Sequence, residues 1–308
     1  MDGVSRQSKV PEATLIFWLI KVLATTFGET GGDAVSMSMN LGYALSSLLF
    51  IGLFFVAVAV QISAKTFHPL LYWVVMIATT TAGTTMADFA DRSLGIGYPG
   101  GASLLFLLLM ASLTFWYSAE GTISIGTVTT PKVEAFYWVS ILFSQTLGTA
   151  LGDWMADTNG LGYEGGALVF SAGLAVIAAA YFWTSVSRTL LFWCAFVLTR
   201  PLGATLGDWL DKPVQDGGLA FSRYYASALL GAAILVCIIF LPQRAGTHAR
   251  EPRVSRSYAL SGRLDQRKDA LIFSSAAVPG QSTSASRRLS GCSTVLRWEC
   301  RSSASGST

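Results

Sequence analysis

Four aspartates recur at matched places in the chain: Asp33, Asp88, Asp153 and Asp208, spaced 55, 65 and 55 residues apart. Carboxylates repeated at one register of a repeated element would stand at one depth as a ring, and such a ring attracts cations. Oxygen-only ligation suits hard ions better than soft ones. Three further ionisable groups, Lys21, Glu29 and Arg200, lie inside otherwise apolar stretches. Charges there are costly in a lipid setting, which makes them candidates for an ion or solute pathway. Other chemistry is poorly supplied. The only histidines, His68 and His248, are far apart, and the four cysteines have no zinc spacing. No nucleophile–base constellation stands out, and Gly-rich turns such as 95–101 lack a phosphate-loop context. The expectation is therefore no enzyme, no cofactor and no metal centre.

The elements that hold these groups follow from an internal repeat. An aromatic-Trp pair occurs at Phe17-Trp18, Tyr72-Trp73, Tyr137-Trp138 and Phe192-Trp193. Ten residues after each Trp stands Gly28, Gly83, Gly148 or Gly203. Four residues further comes Gly32, Ala87, Gly152 or Gly207, with the aspartate directly behind it. Nine residues after each aspartate is Gly42, Gly97, Gly162 or Gly217, and then a nearly pure apolar run. Each copy reads as a motif helix, a turn and a greasier second helix. Predicted helices cover 14–37 and 43–64, 70–91 and 101–119, 133–156 and 165–186, 189–211 and 221–241. All are long enough for a hydrocarbon core of about 30 Å. The expected fold is an all-α integral membrane protein of about eight transmembrane helices. Four parallel hairpin repeats, about 14–68, 69–132, 133–187 and 188–242, make up a membrane domain over 14–242.

Composition agrees. Charged residues are 13% of the chain, about half the usual globular share. Residues 1–242 hold ten Lys/Arg against fourteen Asp/Glu, and the last 66 residues hold eleven against four. The net charge of +3 thus joins a mildly acidic apolar body to a basic tail, and it says nothing about partners. Residues 1–13 read as a short hydrophilic N-terminal segment, and 243–308 as a disordered Ser/Arg-rich tail. Lys/Arg bias in the Trp-side loops places both termini in the cytoplasm and the Asp ends outside. The Trp residues are then expected as interfacial anchors. The partners expected are the lipid bilayer and a small ion or polar solute; a homo-oligomer is compatible with the pattern, and nucleic acid is not expected.

Wound at about 100° per residue, the first motif helix gathers Lys21, Thr25, Gly28, Glu29, Gly32 and Asp33 on one wedge. The wedge recurs with Thr80, Gly83 and Asp88, with Gln145, Gly148, Gly152 and Asp153, and with Arg200, Gly203, Gly207 and Asp208. Glycines four apart let membrane helices approach closely, so motif helices are expected inside and apolar helices outside. Packing accounts for the glycines and leaves the polar neighbours unexplained. At 1.5 Å per residue, Arg200 lies roughly 16 Å and Glu29 roughly 22 Å into their helices, whereas Lys21 is shallow enough to snorkel. Glu29 and Arg200 could pair, as a pathway site or as a structural ion pair. The aspartates could equally be solvated groups at helix ends.

The fourfold pattern, including Gly203-Ala204-Thr205-Leu206-Gly207-Asp208-Trp209, resembles a family of bacterial inner-membrane proteins. Its repeat, of unknown function, has two transmembrane segments and a characteristic Trp per copy. The resemblance covers about residues 14–241 and implies topology and a bacterial plasma membrane, but no substrate. The first repeat departs from it with Ala34 where later copies have Phe89, Trp154 and Trp209, and the fourth has Gly218 where Tyr is expected. The functional expectation is a transporter or channel with the wedge as its pathway. The alternative is a non-transporting sensor or assembly partner with a structural polar seam.

Overall fold

The computed structural model describes residues 8–158 and 160–246. The expected tail lies, from residue 247 onward, outside the described residues. Among the described residues, eight α-helices follow in order: α1 (Leu15–Asp33), α2 (Gly42–Ser63), α3 (Pro69–Asp88), α4 (Tyr98–Glu120), α5 (Pro131–Asp153), α6 (Gly162–Trp183), α7 (Arg188–Asp211) and α8 (Arg223–Phe240). Each repeat is one hairpin of a motif helix and an apolar helix, as expected.

Local signals set the boundaries. Thr14 and Thr130 cap α1 and α5 by accepting from the backbone N–H groups of Phe17 and Val133, both at 3.4 Å. Pro69 and Pro131 open α3 and α5, where a missing N–H costs least. The fourth glycine of the motif has one job in all copies. Gly42, Gly97, Gly162 and Gly217 have φ of 72°, 74°, 65° and 85°, a left-handed conformation that lets the chain turn back. In three repeats the aspartate is the last α-helical residue, and a π-helical turn follows: Ala34–Ser38, Phe89–Ser93 and Trp154–Thr158.

The motif helices close into a ring, with α1 against α3, α3 against α5, α5 against α7 and α7 back against α1. The apolar helices form an outer layer, each leaning on the motif helix of the following repeat: α2 on α3, α4 on α5, α6 on α7 and α8 on α1. Among the described residues, six helices are long and apolar enough to cross a membrane. The other two, α1 and α5, belong to the inner ring and carry Lys21, Glu29, Glu134 and Gln145, all buried against protein. The chain is a membrane-spanning helical repeat protein.

The Trp end departs from expectation. Of the four motif tryptophans, Trp73, Trp138 and Trp193 are at most 4% exposed, so these three are not interfacial anchors, whereas Trp18 is only partly buried. They pack around an aromatic tier of Phe17, Tyr72, Tyr137 and Phe192, in which the two tyrosine hydroxyls are 2.7 Å apart. Two of the buried indole N–H groups find protein acceptors: Trp193 donates to the Ile123 carbonyl at 3.1 Å and Trp73 to Gln243 Oε1 at 2.6 Å. The flanks expected to lie free of the membrane domain are partly built into it. Residues 8–12 and 244–246 pair with each other through an antiparallel bridge between Pro11 and Ala245.

A polar column as the candidate functional site

Residues four apart on a helix stack on one stripe, and in the ring these stripes face inward. Beyond the aromatic tier come four more, each with one buried residue per repeat. The first is Lys21, Met76, Ile141 and Phe196. Next is Thr25, Thr80, Gln145 and Arg200, then Glu29, Thr84, Thr149 and Ala204, and finally Asp33, Asp88, Asp153 and Asp208.

Glycines make this crowding feasible. Gly28 faces Thr80, Gly83 faces Gln145, Gly148 faces Arg200 and Gly203 faces Thr25, so each accepts the same position of the next helix around the ring. One turn on, Gly32 faces Thr84, Gly152 faces Ala204 and Gly207 faces Glu29. Thr25 and Thr80 act in these seams. Thr25 donates to the Thr199 carbonyl at 3.2 Å and Thr80 to the Ala24 carbonyl at 3.3 Å, each tying its helix to the preceding one.

Arg200 and Glu29 meet at the centre, and both are buried. Arg200 Nη1 and Nη2 each donate to Glu29 Oε2 at 3.0 Å. Nη2 also donates to Thr84 Oγ1 and Thr149 Oγ1, both at 2.6 Å. One guanidinium thus joins all four ring helices. Lys21 does not snorkel: it is fully buried, with Nζ 4.0 Å above the Phe196 ring and 3.4 Å from Gln145 Oε1. The amine thus sits over an aromatic face with an amide oxygen beside it and no carboxylate partner among the described residues.

The aspartates come together at the other end and are at most 3% exposed, so they are not solvated helix termini. Nor are they a bare ring. Arg92 lies 3.0 Å from Asp88 and 3.7 Å from Asp153; Lys212 lies 2.6 Å from Asp33 and 2.9 Å from Asp208. Each cation stands four residues after the aspartate of its own repeat and bridges to the next repeat, so the two clasps are related by the twofold symmetry of the half-chains. Arg223 adds a 2.6 Å bond to Asp211 and lies 3.9 Å from Asp33. Burial alone would pull the Lys212 pKa down, but Asp208, Asp33 and Asp211 together raise it well above the ordinary value. Lys212 is therefore a fixed cation at physiological pH. Carboxylate oxygens of Glu29, Asp33 and Asp208 lie within 4.8 Å of one another, a donor set for a hard cation. The ammonium of Lys212 and the guanidinium of Arg200 already supply positive charge to these groups.

Arg92 and Lys212 were legible only as loop charges; the signal was their position four residues after an aspartate, one further helical turn. Replacing Lys212 with Met should strand Asp33 and Asp208 and lower the melting temperature in detergent by several degrees. Lys65→Met, at an exposed site, is the control. Equal melting temperatures for the two variants would show that the clasp carries no stability.

Against known proteins, no curated protein and no solved structure gives a match. The family described as Repeat of Unknown Function (DUF347) matches four times, over residues 16–67, 71–122, 136–187 and 191–244. These four matches are the four hairpins of the ring, and the chain belongs to that family.

Proposed function

We propose that the polar column is a translocation path for a small cation, and that the protein is a transporter or channel rather than an enzyme. The supporting observation is the unbroken series of ionisable tiers from Lys21 through Arg200 and Glu29 to the aspartates, buried throughout. The repeat itself does not require these charges, since the matching positions hold Met76, Ile141 and Phe196, or Thr84, Thr149 and Ala204. A cation fits better than an anion. Six carboxylates (Glu29, Asp33, Asp88, Asp153, Asp208, Asp211) face four cations paired with them (Arg92, Arg200, Lys212, Arg223). In this reading the structure is an occluded state, closed by the aromatic tier at one end and the two clasps at the other.

A second reading, a sensor or assembly partner with a structural seam, draws support from the interlocked glycines and from where the clefts lie. Clefts of 490 and 560 Å³ open on the apolar outside, and no residue of the column lines either. Flux of Na⁺, K⁺ and H⁺ into liposomes holding the purified protein decides between them. Flux above empty vesicles, reduced by Asp153→Asn, is expected; a folded protein that passes none of the three ions would leave the structural reading.

The proposed setting is a bacterial plasma membrane with both termini in the cytoplasm, supported by the Lys/Arg bias. Impermeant maleimide applied from outside should label Leu94→Cys and Leu161→Cys but not Thr66→Cys or Ser185→Cys, all exposed positions. The reverse pattern would invert the orientation.

A further inference from the structure

The Trp-side mouth of the ring is crossed by residues 8–12. Ser8 and Val10 are 1% exposed, although the segment is short and largely polar. On one edge, Ser8 and Glu12 donate backbone N–H groups to the Gly246 and Arg244 carbonyls at 3.2 and 2.9 Å, and Gly246 donates back to Val10 at 2.9 Å. On the other edge, the Lys9 N–H reaches the Val128 carbonyl at 3.0 Å and Ser8 Oγ the Ile125 carbonyl at 2.7 Å. The strap therefore spans from the end of the fourth repeat to the linker between the second and third. Beneath it, Lys9 Nζ lies 2.6 Å from Glu134 Oε1, at the start of α5, and donates to the Ile62 carbonyl at 3.0 Å. Val10 belongs to the same buried cluster as Phe17, Tyr72, Tyr137 and Phe192. The joint to α1, residues 12–14, is exposed.

From this geometry we infer that residues 8–12 are a hinged gate over the Trp-side mouth of the column, latched by the Lys9–Glu134 ion pair. Its anchoring is one apolar side chain, one ion pair and seven hydrogen bonds, most of them along the two edges. A segment of five residues, outside any helix and held through its edges, opens locally without unfolding what lies beneath it. The exposed joint lets it swing without moving the capped start of α1. Its role as a gate rests on the column being a path, whereas its role as a cover does not.

The test uses the full chain with Cys194, Cys237, Cys292 and Cys300 replaced by Ser and a single reporter, Tyr72→Cys, in the tier under the strap. Labelling by a water-soluble methanethiosulfonate is compared with Lys9→Ala added, and with Ser8, Lys9, Val10 and Pro11 all replaced by Gly or Ser. Losing the latch should speed labelling about tenfold or more, as expected for an opened local equilibrium, with Leu94→Cys at the far end unaffected. Should the four-residue replacement fail to fold, Lys9→Ala alone decides. Unchanged labelling of Tyr72→Cys overturns the inference. Flux separates it from the reading it builds on: faster labelling with faster flux supports both. Faster labelling of a protein that conducts nothing keeps the cover and ends its role as a gate.

Discussion

Glu29→Gln should destabilise the protein by about 3–5 kcal/mol, the usual result of leaving one member of a buried ion pair without its partner. Arg200 is fully buried and donates both terminal nitrogens to one Glu29 oxygen. Glutamine offers a weaker acceptor and no charge, so the guanidinium would stand uncompensated at the meeting point of four helices. Adding Arg200→Met removes the stranded charge while keeping much of the side-chain volume, and should restore most of the melting temperature. The double variant then separates the two roles of the pair. Recovered stability with lost cation flux is expected of a path residue. Recovered stability with undiminished flux would show that the pair only holds the ring together.

The ring should be still less tolerant of Gly203→Leu, which is expected to abolish folded protein on size-exclusion chromatography. A Cβ at Gly203 would meet Thr25 Cβ at 2.5 Å and the Thr25 backbone carbon at 2.9 Å. Backbone in the middle of a packed helix cannot rotate aside as a side chain does, so relief requires α1 and α7 to part. That would also break the Thr25 bond to the Thr199 carbonyl and disturb Arg200 three residues away. Gly173, on α6, is the contrast. Its only close neighbour is the tip of Leu198, at 2.6 Å, which a rotamer change can move. Gly173→Ala should therefore cost little, and comparable losses at both positions would refute the two-layer packing.

Much of this was readable because the motif repeats with residue identities and spacings intact. The periodicity from Phe17-Trp18 to Gly42 marks both helices of a hairpin and puts glycines and charges on one stripe. Placing Glu29, Asp33 and Asp208 near one another followed from the stripe and from the parallel direction of the copies. What no single copy encodes is how copies meet. That α2 leans on α3, and α8 on α1, depends on the angle at which hairpins join around the ring. Trp73, Trp138 and Trp193 were misread because aromatic residues at a helix end suit both an interface and a packed end-cap, and periodicity does not tell these apart. Lys9 was hidden by its polar neighbours; its partner Glu134 is 125 positions away, in another repeat. Lys21 shows the same limit. Its depth allows escape to water, but the strap and the aromatic tier cover the route.

The bond between Glu29 and Arg200 joins the first and last helices of the ring, 171 residues apart in the chain. Made at about 5–20 residues per second, the chain delivers α7 roughly 10–30 s after α1. During that interval α1 enters the bilayer with Lys21 and Glu29 and without α7 or α8, the helices that later flank it. An isolated segment with two ionisable groups inserts weakly by itself. The order of synthesis thus makes the first hairpin dependent on its companions, and its retention in lipid becomes a collective event completed by the arrival of the fourth repeat. Biogenesis of this protein is accordingly a ring-closure problem, in which the earliest helix is the last to be secured.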